Sequence, residues 1–130
     1  EVVFLSVRTH EGRPVALLAN YSLHYVGNVP AGGVSSDYFG EFADQLAAKL
    51  FPEEQRDTLP PFVGILSNGT SGDVNNINFT DPQPRAKPFV RIREVAGLVA
   101  ERVVEAMPAV KYKRSVPLAM AQPPPLESPC

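Results

Sequence analysis

Two stretches of this chain gather side chains able to do chemistry. In NYSLHYVGNVPAGGVSSDYFGEF (residues 20–42) a single histidine, His24, ends an apolar run. A loop with Gly27, Gly32 and Gly33 follows, then Ser35, Ser36 and Asp37. In SNGTSGDVNNINF (residues 67–79) Asn68, Thr70, Ser71, Asp73, Asn75, Asn76 and Asn78 surround Gly69 and Gly72. An imidazole at the end of a buried strand is a metal ligand, a general acid–base, or a hydrogen-bonded histidine of the core. Glycines let backbone N–H groups approach a ligand, and Asn and Asp offer oxygens to a metal or hydrogen bonds to a carbonyl. The same residue types are the commonest turn formers, so a long capped turn accounts for the second stretch as readily.

Several familiar chemistries do not fit. No Gly-Lys-Ser/Thr follows the glycines, so this is not a phosphate-binding P-loop. A Gly-x-Ser-x-Gly elbow is absent. A Ser71–His24–Asp73 triad would require two residues of one loop to reach opposite sides of the imidazole. His10 sits beside Glu11 in a hairpin turn and has no assigned role. Asp37 is most simply an N-cap or first-turn acid, favoured by the helix dipole. The sequons at Asn20, Asn68 and Asn78 read as chance, the first falling within a strand.

The elements that position these residues follow from periodicity. Residues 2–9 and 14–23 are rich in branched apolar side chains and flank a Glu11-Gly12 turn, which predicts a β-hairpin. The unbroken apolar run over residues 15–19 suits a strand covered on both faces. Phe39, Phe42, Ala43, Leu46, Ala47 and Leu50 recur at helical spacing, so a helix is expected over 37–51, stopped by Pro52. Residues 62–67 form a short buried strand. A second helix is expected from Pro88 to about 107, with Ile92, Val95, Ala96, Val99, Val103 and Val104 on one stripe. Alternation through Val110, Tyr112, Arg114, Val116 and Leu118 suggests a last, edge strand. The order ββαβαβ predicts an α/β fold, a mixed and partly parallel four-stranded sheet with two main helices. The strand–helix–strand crossover makes 15–23 parallel to 62–67. Both loops then spring from the carboxyl ends of a parallel pair, where ligands of open α/β sheets collect.

At 130 residues the chain is long enough for one domain with a real core, expected over 1–118 with a Pro-rich extended tail over 119–130. A net charge of −2 gives no electrostatic footprint for nucleic acid. No apolar run is long enough for a transmembrane segment. Cys130, the only cysteine, has no internal disulfide partner. The chain runs from Glu1 straight into a strand, so the expectation is an excised part of a larger catalytic domain.

LLANYSLHYVG, SSDYFGEFA and FVGILSNGTSGDVNNI together resemble the neutral/alkaline non-lysosomal ceramidase family. Members of that family are zinc-dependent amidases that cleave N-acyl sphingosines. The resemblance covers residues 14–78; beyond them only the order of elements agrees. It rests on Asn20 and His24, on Ser36, Asp37 and Gly40, and on Gly72, Asp73 and Val74. It implies His24 as a zinc ligand, Asp73 and Asn75 as catalytic-site residues that orient water or substrate, and Asn20, Asp37 and Gly72 as substrate-binding. It also implies an amide-containing lipid such as an N-acyl sphingosine as partner, together with the remainder of the parent chain, and a secreted or periplasmic parent. The chain departs from the family where Asn75 replaces the motif's serine and Asn76 its proline. Asparagine hydrogen-bonds a carbonyl but is no nucleophile. The family's other zinc ligands, an upstream histidine and a downstream glutamate and tyrosine, have no counterpart here. Catalytic zinc takes three protein ligands and a water. Zinc is therefore expected in an intact parent and not in this fragment, which should be inactive. The alternative is a non-catalytic ligand-binding or structural relative.

Overall fold

A computed structural model describes residues 1–56, 59–82, 84 and 86–121. Strands β1 (Val2–Arg8) and β2 (Pro14–Tyr21) form the expected hairpin, antiparallel, with Leu5 opposite Leu18. Its turn closes through Thr9 N–H to the Arg13 carbonyl at 2.8 Å and Gly12 N–H to the Thr9 carbonyl at 3.1 Å. Helix α1 (Asp37–Leu50) leads into a 3-10 turn (Glu53–Gln55) and then β3 (Val63–Asn68). β3 pairs with β2 in parallel, Leu18 opposite Ile65, as the crossover rule predicts. Helix α2 (Val90–Ala106) follows and ends in a 3-10 turn (Met107–Ala109).

The sheet has three strands in the order β1-β2-β3, and this corrects the expectation of four strands in the order ββαβαβ. Residues 110–121 form no strand. The segment is attached to β1 through one side chain: the Tyr112 hydroxyl shares a 3.0 Å hydrogen bond with Ser6 Oγ, and the Arg8 guanidinium stacks 3.6 Å over its ring. The alternation finds neither a ladder nor a cover, for Val116 and Leu118 are exposed. Pro117 cannot donate, and Lys111, Lys113 and Arg114 keep their charges in water by leaving the sheet. Of the expected tail, residues 122–130 lie outside the described residues.

Alternation decides which face of the sheet is covered. Leu17 and Ala19 of β2 and Leu66 of β3 point towards the helices and are buried. They meet Tyr38, Phe42 and Leu46 of α1 and Ile92, Val95, Ala96, Val99 and Val103 of α2 in one core. The stripe on α2 is the one its 3.6-residue period predicts. On α1 the fully enclosed row is 38, 42 and 46, an i, i+4, i+8 line, so Tyr38 rather than Phe39 is the deep residue. Both helices lie on one face. The other face of β2, expected to be covered as well, is open: Leu18 is 43% exposed. Among the described residues no helix is long and apolar enough to cross a membrane.

Candidate functional site

The parallel ladder ends at Tyr21 opposite Asn68, so the loops after β2 and β3 leave from one edge. Just below that edge Asn20 stands opposite Ser67, and its Nδ2 donates to Ser67 Oγ at 2.9 Å. Ser67 Oγ in turn donates to the Ala19 carbonyl at 3.1 Å. The first loop residue after β3, Gly69, donates its N–H to the Tyr21 carbonyl at 3.2 Å. A β-carbon at position 69 would fall on Ser22 Oγ and press on Asn20 Oδ1. A larger residue there would have to displace the Ser22 hydroxyl and crowd the Asn20 side chain.

One step further out the loops are joined directly. The His24 N–H donates to the Val74 carbonyl at 2.9 Å, and Val74 N–H donates to the Ser71 carbonyl at 3.3 Å. Asn68 Nδ2 donates to Ser71 Oγ at 2.9 Å, which braces the turn from behind. The predicted convergence of His24 with residues 72–75 is therefore present as a backbone hydrogen bond. His24 is exposed, its ring edge-on to Tyr25 at 5.7 Å, and Tyr25 meets Phe39 at 5.9 Å. A core histidine would be enclosed; this one faces solvent. Among the described residues neither the His24 ring nitrogens nor the Asp73 carboxylate makes a hydrogen bond, and Asp73 and Gly72 are exposed. Asn75 is differently placed: its Oδ1 accepts the Ile77 N–H at 3.1 Å, a local side-chain turn.

Asp37 shapes the loop between β2 and α1 from inside. Its φ of 53° is left-handed, a conformation Asp tolerates because its side chain can bond locally. The residue is buried, and its carboxylate accepts three backbone N–H groups: Val26 at 3.0 Å, Gly27 at 2.7 Å and Tyr38 at 2.8 Å. Ser35 Oγ accepts the Asp37 N–H at 3.0 Å. Ser36 stands at the N-cap position and makes no side-chain cap bond. It packs instead against Gly40, where a β-carbon would collide with Ser36 Oγ and Cβ. Beside Asp37, the buried Tyr38 hydroxyl donates to the Leu23 carbonyl at 2.7 Å, one residue before His24. Loss of hydration, and after it the Asp37 charge, push the Tyr38 phenol up to about 12.

Against the α2 side the site opens into a cleft of about 330 Å³, lined by Tyr21, Leu23, Asn75, Ile77, Arg91 and Val99 among others. Arg91, which sequence reasoning did not single out, pairs with Glu94 at 3.1 Å and reaches the Asn76 carbonyl at 3.5 Å. Its only sequence signal is a cation in the first turn of a helix, at the end where the apolar stripe meets the loops. His24, Gly72, Asp73 and Asn75 thus share one edge, Asn20 underpins it from the sheet, and Asp37 holds the loop behind His24. Among the described residues no group of three His, Cys, Asp or Glu side chains comes together. No protein-family model matches the chain, and comparisons with curated proteins and with solved structures find no match.

Proposed function

We propose that this chain is a segment of a ceramidase-like, zinc-dependent amidohydrolase, in which the edge formed by His24 and residues 72–75 faces the scissile amide of an N-acyl lipid. The observation that carries the reading is the His24 N–H to Val74 hydrogen bond of 2.9 Å, which makes the histidine loop and the Gly-Asp loop one unit. A solvent-facing imidazole without hydrogen-bond partners, on a backbone fixed from two sides, suits a ligand awaiting further donors. Those donors have to come from polypeptide other than these residues. The residues of this chain then divide their work. His24 and Asp73 present polar atoms, Gly72 keeps the approach open, and Asn75 offers its amide N–H to a carbonyl while its oxygen holds the turn. Asn20 and Asp37 position the two loops from beneath, since their polar groups are already engaged with the protein.

A non-catalytic relative that binds a ligand is the second reading, and Asn75 favours it. Its side-chain oxygen is committed to Ile77, so the residue replacing the motif serine works as a turn former. A longer polypeptide carrying these residues separates the two readings. The hydrolase reading expects a fluorogenic N-acyl sphingosine to be cleaved, and both turnover and zinc content to fall when His24→Ala is introduced. Zinc content unchanged by that substitution, with no turnover in either protein, would establish the non-catalytic relative.

A further inference from the structure

Four rings run in a row from the core to the candidate site. Tyr38 is fully buried, and the half-buried Phe39 stacks on its ring, with centroids 4.2 Å apart and planes inclined by 28°. Tyr25 meets Phe39 edge-on at 5.9 Å, and His24 meets Tyr25 edge-on at 5.7 Å with the planes 88° apart. The row begins in the core and ends on an exposed imidazole, and Tyr25, 62% exposed, is the link between them. The backbone on both sides of Tyr25 is pinned. The Leu23 carbonyl accepts the Tyr38 hydroxyl at 2.7 Å and the His24 N–H donates to Val74 at 2.9 Å. Beyond Tyr25, the Val26 and Gly27 N–H groups donate to the Asp37 carboxylate at 3.0 and 2.7 Å.

We infer that Tyr25 is a positioning residue of the candidate site, whose ring holds the His24 imidazole in one orientation. The bond to Val74 fixes the backbone of His24, but its side chain still turns about two bonds that no backbone hydrogen bond restrains. A metal-ligating histidine is ordinarily oriented by a hydrogen bond from its second ring nitrogen to a carboxylate or carbonyl. Among the described residues the His24 ring makes no hydrogen bond, so ring packing is the restraint that remains. Edge-to-face packing is directional, because the positive edge of one ring meets the negative face of the other. Tyr25 is itself held, since Phe39 lies against it and is stacked in turn on the buried Tyr38. Order in the core is thereby carried out to an exposed side chain. The use of that order rests on the reading of His24 as a metal ligand; the order itself is measurable without a metal.

The test is NMR on the 130-residue chain, where scalar couplings between Hα and Hβ of His24 report how many side-chain rotamers it takes. One dominant rotamer is expected. Tyr25→Ala should average those couplings to free-rotation values while the urea midpoint stays close to the parent's, because the ring removed is mostly exposed. Tyr25→Phe should keep the single rotamer. Tyr25→Leu provides the same readout should Tyr25→Ala not fold. In a longer polypeptide carrying these residues, zinc affinity measured by equilibrium dialysis should fall roughly tenfold in Tyr25→Ala and recover in Tyr25→Phe. A His24 rotamer unchanged in Tyr25→Ala overturns the inference. Averaging in Tyr25→Phe overturns it too, since the hydroxyl rather than the ring would then do the positioning. Zinc content indifferent to His24→Ala sinks the metal reading instead, and the coupling measurement still decides the orientation.

Discussion

Replacing Asp37 by alanine should destabilise the protein far more than the loss of a surface helix cap. The carboxylate accepts N–H groups at 3.0, 2.7 and 2.8 Å from a buried position, and alanine leaves all three without an acceptor. Each such loss costs about 1 kcal/mol when water recovers part of the bond, so the three together come to ~3 kcal/mol. The left-handed φ of 53° adds about 1 kcal/mol once no side-chain oxygen supports it. A total of roughly 4 kcal/mol is a large share of a small domain's stability, against about 1 kcal/mol for a simple exposed cap. Asp37→Asn keeps one acceptor and the left-handed tolerance but turns an NH2 towards the Gly27 N–H, so about half the loss is expected. Urea unfolding should show a lowered midpoint with an unchanged slope. Hydrogen exchange should speed up at the Val26 and Gly27 amides beyond the global change. An Asp37→Ala protein within 1 kcal/mol of the parent, with those amides still protected, would refute the assignment of this carboxylate as the organiser of the loop.

Tyr38 gives an alkaline signature. Its phenol ionises near 10 in the unfolded chain and is pushed up to about 12 in the folded one, because burial opposes the charged form. The folded state therefore holds the proton more tightly; this contribution is complete below pH 10 and is lost as pH rises from 10 to 12. Tyr38→Phe should flatten that alkaline loss in pH-dependent denaturation, while costing about 1 kcal/mol at neutral pH through the orphaned Leu23 carbonyl. Gly69→Ala should displace Ser22 and break the Asn20–Ser67 pair, visible as lost stability of about 1–3 kcal/mol and shifted Asn20 side-chain amide resonances. Incubated with zinc and a fluorogenic ceramide, the 130-residue chain should show no hydrolysis above blank; turnover that His24→Ala abolishes would show that the ligand set is complete after all.

Local pattern carried much of this fold because the relevant forces were local or topological. The helical stripe over residues 92–103 buries as its period implies, whereas on α1 only Phe42 and Leu46 of the expected row are buried, behind Tyr38, and Phe39, Ala43, Ala47 and Leu50 are half-buried at its flanks. A strand–helix–strand order leaves little choice but a parallel pair, and that alone brought His24 to the loop holding Asp73. What pattern could not supply was the identity of each hydrogen-bond partner. Asp37 has the composition of a helix cap, and its turn towards Val26 and Gly27 depends on a loop path that no spacing encodes. The strand expected over residues 110–118 failed for a related reason. Alternation is a property of one segment, whereas a ladder needs a second backbone in register, and only Tyr112 found a partner on β1.

The same distinction bears on the site. Residue types suited to metal or acyl chemistry were visible as types, but a site is defined by which atoms remain free once the fold has used the others. Here the fold has used most of them. Asn20 is bound to Ser67, Asp37 to three amides, Asn75 to Ile77 and Asn78 to Thr80. The His24 ring and the Asp73 carboxylate are left over, side by side in the topology and both facing solvent. The His24 N–H to Val74 bond satisfies backbone groups as any ordered loop does, and it leaves the imidazole uncovered. Beneath the two side chains Asn20, Ser67 and Asp37 are engaged in hydrogen bonds, while the His24 ring and the Asp73 carboxylate make none among the described residues. On the proposed reading it is therefore His24, rather than the more numerous asparagines, whose substitution tests the function.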